Sequence, residues 1–180
     1  MLPRKPILAF LFFATLAVHG EDWPQFRGPG GEGHSAERGL PTEWSESRNV
    51  LWKTAVAGRG WSSPVIAGGR VWLTTSTDRP GGASLRVLAF DVETGRQMLN
   101  VEAFSIKDAE LKNAKNSHAS PTPILEGDRV YVHFGAEGTA ALTTEGKVLW
   151  KTVALRIATR QRRVADAIPR FPDRELRRLR

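Results

Sequence analysis

Residues Ser63–Leu73, SPVIAGGRVWL, align without a gap on Thr122–Val132, TPILEGDRVYV. The alignment sets Pro64 on Pro123, Gly68 on Gly127 and Arg70 on Arg129. A recurring supersecondary unit buries its apolar face only by stacking on a neighbour, so this self-similarity limits the fold more than any single residue does. Each copy reads as a short strand, a Gly turn and a second strand. In the second strand Val71 and Leu73 alternate with Trp72 and Thr74, and Val130, Val132 and Phe134 alternate with Tyr131 and His133. Period two marks half-buried strands. A second recurring unit follows: AFDVETGRQML, Ala89–Leu99, resembles ALTTEGKVLW, Ala141–Trp150, with Gly95 on Gly146. Finally, NVLWKT at Asn49–Thr54 repeats KVLWKT at Lys147–Thr152. The chain is therefore expected to open with a lone fourth strand, as a circular array does when its first strand closes against its last blade. Six tryptophans beside a single tyrosine fit a recurring structural position.

The segments between the repeats are plainer. FSIKDAELKNAKNSHAS, Phe104–Ser120, is polar and reads as a loop with one helical turn at Asp108–Lys112, which accounts for the wide separation of Pro64 from Pro123. Residues 21–48 are rich in Gly, Pro and polar residues and read as a strap lying on the surface. Residues 1–20 read as an export signal: Arg4 and Lys5 precede an apolar run from Ile7 to Val18, and Val18-His19-Gly20 suits a cut. The run is short for a membrane span, with an uncleaved anchor as the alternative. There is no cysteine, which excludes disulfides, Cys-ligated zinc, a thiol nucleophile and a lipid-modified cysteine.

The net charge of +7 is a local feature. Residues 156–180 hold nine of the 26 basic and three of the 19 acidic residues, leaving 17 positive against 16 negative in the body. After Thr152 the period-two pattern stops and arginine dominates, as in a GC-rich gene read out of frame. Leu155–Phe171 can be encoded so that dropping one base yields GSPTPFLD, an echo of ASPTPILEGD at Ala119–Asp128. The tail from about Val153 is accordingly expected to be frameshifted and disordered. A basic helix over Val153–Arg163 is the alternative, but Pro169 and Pro172 break its continuation.

The motifs DWPQFRGPGGEG, WSSPVIAGGRVWLTT, AFDVETGR, NSHASPTPILEGDRVYVHFGAEGTAAL and GKVLWK, within residues 21–152, resemble the pyrroloquinoline-quinone-type repeat family of β-propellers. Among these they are most similar to the secreted BamB-like propellers of the planctomycete type. The resemblance implies an all-β fold, a partial β-propeller of about two four-stranded blades over residues 49–152, truncated relative to a full ring. It also implies a tryptophan at the end of each fourth strand, packed between blades; Trp52 and Trp150 fit that position and Leu99 departs from it. Quinone-dependent dehydrogenases of the superfamily use calcium, a catalytic aspartate and often an adjacent cysteine pair spread over many blades. None of those positions can be carried onto this chain, and the non-catalytic members resemble protein-binding scaffolds.

The residues with chemical potential read as structural. Gly28, Gly30 and Gly33 spell G-x-G-x-x-G, but no strand precedes them, no helix is expected after them and Pro29 sits inside, so a flexible loop is favoured over a pyrophosphate cradle. His118 and His133 without a carboxylate pair make a poor metal site. Ser62, Ser63, Ser117 and Ser120 lie at repeat-equivalent turns beside Pro64 and Pro121, and Asp91 and Glu93 precede the turn glycine Gly95. No catalytic, cofactor-binding or metal-ligating residue is assigned, and no cofactor is expected. The expected function is a non-enzymatic exported scaffold, periplasmic or extracellular, with an unidentified protein partner, no nucleic acid and no membrane span once the signal is cleaved. A fragment of a quinone-binding oxidoreductase is one alternative. Nucleic-acid or anionic-surface binding through the arginine tail is the other.

Overall fold

The computed structural model describes residues 20–107 and 116–153. Residues 1–19 of the expected export signal, the helical turn expected at Asp108–Lys112 and the arginine tail beyond Val153 lie outside the described residues. Among the described residues the strands form two four-stranded antiparallel sheets, each a simple meander. The first contains β1 (Val65–Ala67), β2 (Arg70–Arg79), β3 (Gly82–Asp91) and β4 (Gln97–Lys107). The second contains β5 (Ile124–Glu126), β6 (Arg129–His133), β7 (Thr139–Thr143) and β8 (Val148–Thr152). Two blades of a β-propeller are thus present, at the turns the repeats predict.

Register explains how the sheets stack. Val65 pairs with Trp72, Trp72 with Ala89 and Ala89 with Leu99, so these four side chains share one face. Val87, Val101, Leu85 and Phe104 continue the same face. In the second sheet Leu125 pairs with Val130, Val130 with Leu142 and Leu142 with Val148. The two faces meet in one apolar core that includes Val65, Trp72, Leu85, Val87, Val130, Val132, Phe134 and Leu142. Phe104 and Phe134 close it edge to face, with ring centroids 5.9 Å apart.

The stacking also explains why equivalent residues differ in burial. In the second sheet Val130, Val132 and Phe134 are buried, because that face meets the first sheet. In the first sheet Trp72 and Thr74 are buried instead, and Val71 and Leu73 on the opposite face are half-buried. A single sheet offers both faces, and its neighbour decides which is the core.

Three segments depart from the sequence reading. Phe104–Lys107, expected as the start of a loop, completes β4, with Phe104 and Ile106 turned into the core. The hairpin of β2 and β3 is longer than the repeat shows, running to a turn at Pro80 and Gly81. Asn49–Thr54, expected as a strand, joins neither sheet. Residues 21–48 are mostly exposed, and two residues near their start tie the sheets together. Trp23 exchanges backbone hydrogen bonds with Ile66 on the free edge of β1, and Leu125 N of β5 donates to Pro24 O at 2.8 Å.

Candidate functional site

Asn49–Thr54 packs through its side chains. The Trp52 ring lies flat against Gly95 in the turn between β3 and β4; a β-carbon on Gly95 would sit 2.4 Å from Trp52 Cδ2. Trp52 Nε1 donates to Val92 O at 2.8 Å, and Thr54 Oγ1 donates to Gly95 O at 2.8 Å. The turn itself is braced by Asp91, whose Oδ1 accepts from Thr94 N at 2.8 Å and Thr94 Oγ1 at 2.7 Å. Those bonds hold the Asp91 carboxyl below the usual carboxylate range, a turn role that matches the sequence reading.

Gly146 forms the equivalent slot on the second sheet. Its occupant is Leu99 of β4: a β-carbon on Gly146 would lie 2.8 Å from Leu99 Cδ1. The departure from tryptophan at position 99 therefore leaves the interblade contact intact. Leucine has no N–H for the turn carbonyl, and Arg70 supplies one, its Nη1 donating to Thr144 O at 2.5 Å. Arg70 also stacks over the Trp72 ring at 5.8 Å. Leu99→Trp should therefore compete with Arg70 for the Thr144 carbonyl. In a double-mutant cycle with Arg70→Ala, the coupling energy is expected to be about 0.5–3 kcal/mol, with Leu99→Trp better tolerated once Arg70 is gone; zero coupling would separate the two groups.

Each slot accepts the docking residue of the preceding strand system, and Trp150 on β8 holds that docking position for the second sheet. Trp150 is 45 % exposed and touches Tyr131 with ring centroids 6.4 Å apart. Ile124, Tyr131, Ala141 and Trp150 form one row, the counterpart of Val65, Trp72, Ala89 and Leu99. That row is an open apolar face beside which lies a groove of about 390 Å³ lined by Gln25, Phe26, Ser120, Pro121, Thr122 and Ile124. Phe26 and Trp61 are exposed close by, and Trp61 N donates to Ala119 O at 3.0 Å. A second cleft, of about 350 Å³, opens between the sheets at Arg70, Trp72, Asp128 and Thr144.

The structure does not bring the candidate chemical residues into one place. Of the candidate glycines, Gly28 and Gly33 spend their N–H groups on the carbonyls of Gln25 and Arg27 in their own loop, and no helix follows. Ser62 Oγ accepts from Thr74 N, Ser63 N donates to Thr122 Oγ1, Ser117 Oγ accepts from Ala119 N, and Ser120 Oγ donates to Ser117 O. All four serines work in turns and loop-to-strand contacts. Glu93 is exposed in the β3–β4 turn, and His118 is half-buried in the loop entering β5. Among the described residues no three His, Cys, Asp or Glu side chains gather as metal ligands would.

His133 Nδ1 lies 2.9 Å from Thr139 Oγ1, across the β6–β7 ladder. Burial lowers its pKa, against a smaller opposing effect of the hydrogen bond to Gly138. The unfolded chain thus binds a proton more readily, and stability present above the unfolded value of about 6.5 is lost as pH falls below it toward the folded value. The urea midpoint should drop between pH 7 and pH 5.5, above the carboxylate range, and His133→Gln should flatten that slope. An unchanged slope would remove His133 as its source.

The open face and its groove were not legible in the sequence, since the repeat alignment gives equal weight to both faces of a strand. Compared with known families, the chain matches the family described as outer membrane protein assembly factor BamB over residues 35–171. The matched stretch includes both sheets and continues past Thr152, where the visible repeats stop. No curated protein matches the chain.

Proposed function

This chain belongs to the family of the outer membrane protein assembly factor BamB, and on that premise we propose that it is an exported, non-enzymatic propeller-repeat protein that binds other proteins. The observation that carries the proposal is the groove at Pro121, flanked by exposed Phe26 and Ile124, with Trp61 hydrogen-bonded to the same loop. Exposed aromatic and aliphatic side chains around a concave surface are the usual anchors of a protein interface. The supporting chemistry is consistent: the side chains of Ser62, Ser117, Ser120, Asp91 and His133 are engaged in turn, loop and ladder contacts. Among the described residues no helix is long and apolar enough to cross a membrane.

A photoreactive side chain at position 26, in cells, should crosslink to a protein of the cell envelope, and Trp61→Ala should weaken that crosslink. Titration of the purified chain with pyrroloquinoline quinone and calcium should leave its tryptophan emission unchanged. Saturable quenching accompanied by alcohol or sugar oxidation would replace this reading with the oxidoreductase one. Deleting residues 156–180 should leave the crosslink in place. Salt-dependent nucleic-acid binding lost with that deletion would assign the tail a role of its own.

A further inference from the structure

We infer that the chain associates head to tail with a second copy of itself, β8 of one copy displacing residues 50–54 from the Gly95 slot of the next. The inference is independent of the scaffold reading, because it uses only the packing of this chain's own two sheets. Its starting point is a sequence identity. Residues 50–54 and residues 148–152 are both Val-Leu-Trp-Lys-Thr. One copy of the pentapeptide already sits in the slot, with Trp52 on Gly95, the indole N–H on Val92 O and the Thr54 hydroxyl on Gly95 O. On β8 the other copy turns Trp150, 45 % exposed, to the open face, while Val148 packs on the shared core and the Lys151 ammonium lies over the Phe104 ring.

The internal junction shows what the intermolecular one would look like. Where the first sheet meets the second, the row Val65, Trp72, Ala89 is 0–1 % exposed and Leu99 fills the slot at Gly146. The equivalent row on the second sheet, with Ile124 at 47 % and Trp150 at 45 %, has the composition of a face built to be covered. Opposite it in a second copy would stand Ile66, Val71 and Leu73, the half-buried side of the first sheet. The present occupant of the slot is held by side chains alone, since residues 50–54 join no sheet and Leu51 is 85 % exposed. An incoming β8 brings the same indole on a finished sheet, so its ordering cost is lower. Donor and acceptor lie at different ends of the molecule. The contact is heterologous, and it propagates head to tail unless the rotation closes a ring.

Sedimentation velocity of the full chain over a dilution series tests this with variants of opposite sign. Trp150→Ala removes the plug and should weaken association by about tenfold or more, the scale of an aromatic anchor. Trp52→Ala empties the slot and should strengthen association. Trp150→Leu should retain part of it, because Leu99 shows that leucine fits such a slot. A general stickiness of exposed tryptophan would make both alanine variants weaker, and that result overturns the inference. Should either variant fail to fold, Trp150→Phe and Trp52→Phe, read in the same dilution series, should shift association in the same opposite directions, and equal shifts overturn the inference. A wild-type chain monomeric at every dilution contradicts the proposal.

Discussion

Trp72→Ala is expected to destabilise the chain by about 3–5 kcal/mol, while Tyr131→Ala, at the equivalent position of the second repeat, costs less than about 1 kcal/mol. Both residues stand on the middle strand pair of their sheets, at aligned positions. Trp72 is 1 % exposed because the second sheet covers its face, so truncation leaves a cavity inside the shared core. Tyr131 shares its open row with Trp150 and leaves a surface notch when truncated. Trp72→Phe should be far milder than Trp72→Ala. The indole Nε1 is buried without a hydrogen-bond partner, so losing it relieves a cost that offsets part of the lost volume. Urea unfolding with an unchanged m-value measures all three; equal losses at positions 72 and 131 would mean that the sheets do not stack as described.

Gly95→Ala should destabilise the chain by about 2–5 kcal/mol. Two effects add. Its φ of 67° is a left-handed conformation that a β-carbon disfavours, and the new methyl group would lie 2.4 Å from the Trp52 ring and 2.8 Å from Thr54 Oγ1. Gly127, in the β5–β6 turn with φ of 58°, has open space around its would-be β-carbon. Gly127→Ala therefore carries only the conformational cost, about 1–2 kcal/mol. Urea midpoints compare the two, and near-ultraviolet circular dichroism reports whether Trp52 has left the slot. If the two variants lost the same amount, the indole would not be resting on Gly95.

The repeats were readable because period two and Gly turns are local signals, and both sheets appear at the aligned segments. What escaped the sequence was everything a neighbour decides. The alternation in β2 favoured neither of its faces, and the second sheet made Trp72 and Thr74 the core side. Asn49–Thr54 looked like a strand because it copies β8, but with no adjacent strand to complete its ladder it is held by an indole and a hydroxyl. Phe104 and Ile106 were hidden in a segment whose following residues are polar, so a short extension of β4 was read as loop. The leucine at position 99 looked like a lost contact, and only the arrangement around Gly146 shows Arg70 supplying the hydrogen bond that an indole would make.

The central claim is that the two sheets fold as one unit because each supplies a wall of the same core. Native-state amide hydrogen exchange tests it residue by residue. The β6 and β7 amides around Val130, Val132 and Leu142 should exchange with the same opening free energy as those around Leu85 and Val87 in β3, and Trp72→Ala should lower both sets together. A first sheet that stays protected while the second exchanges near its unprotected rate would contradict the account.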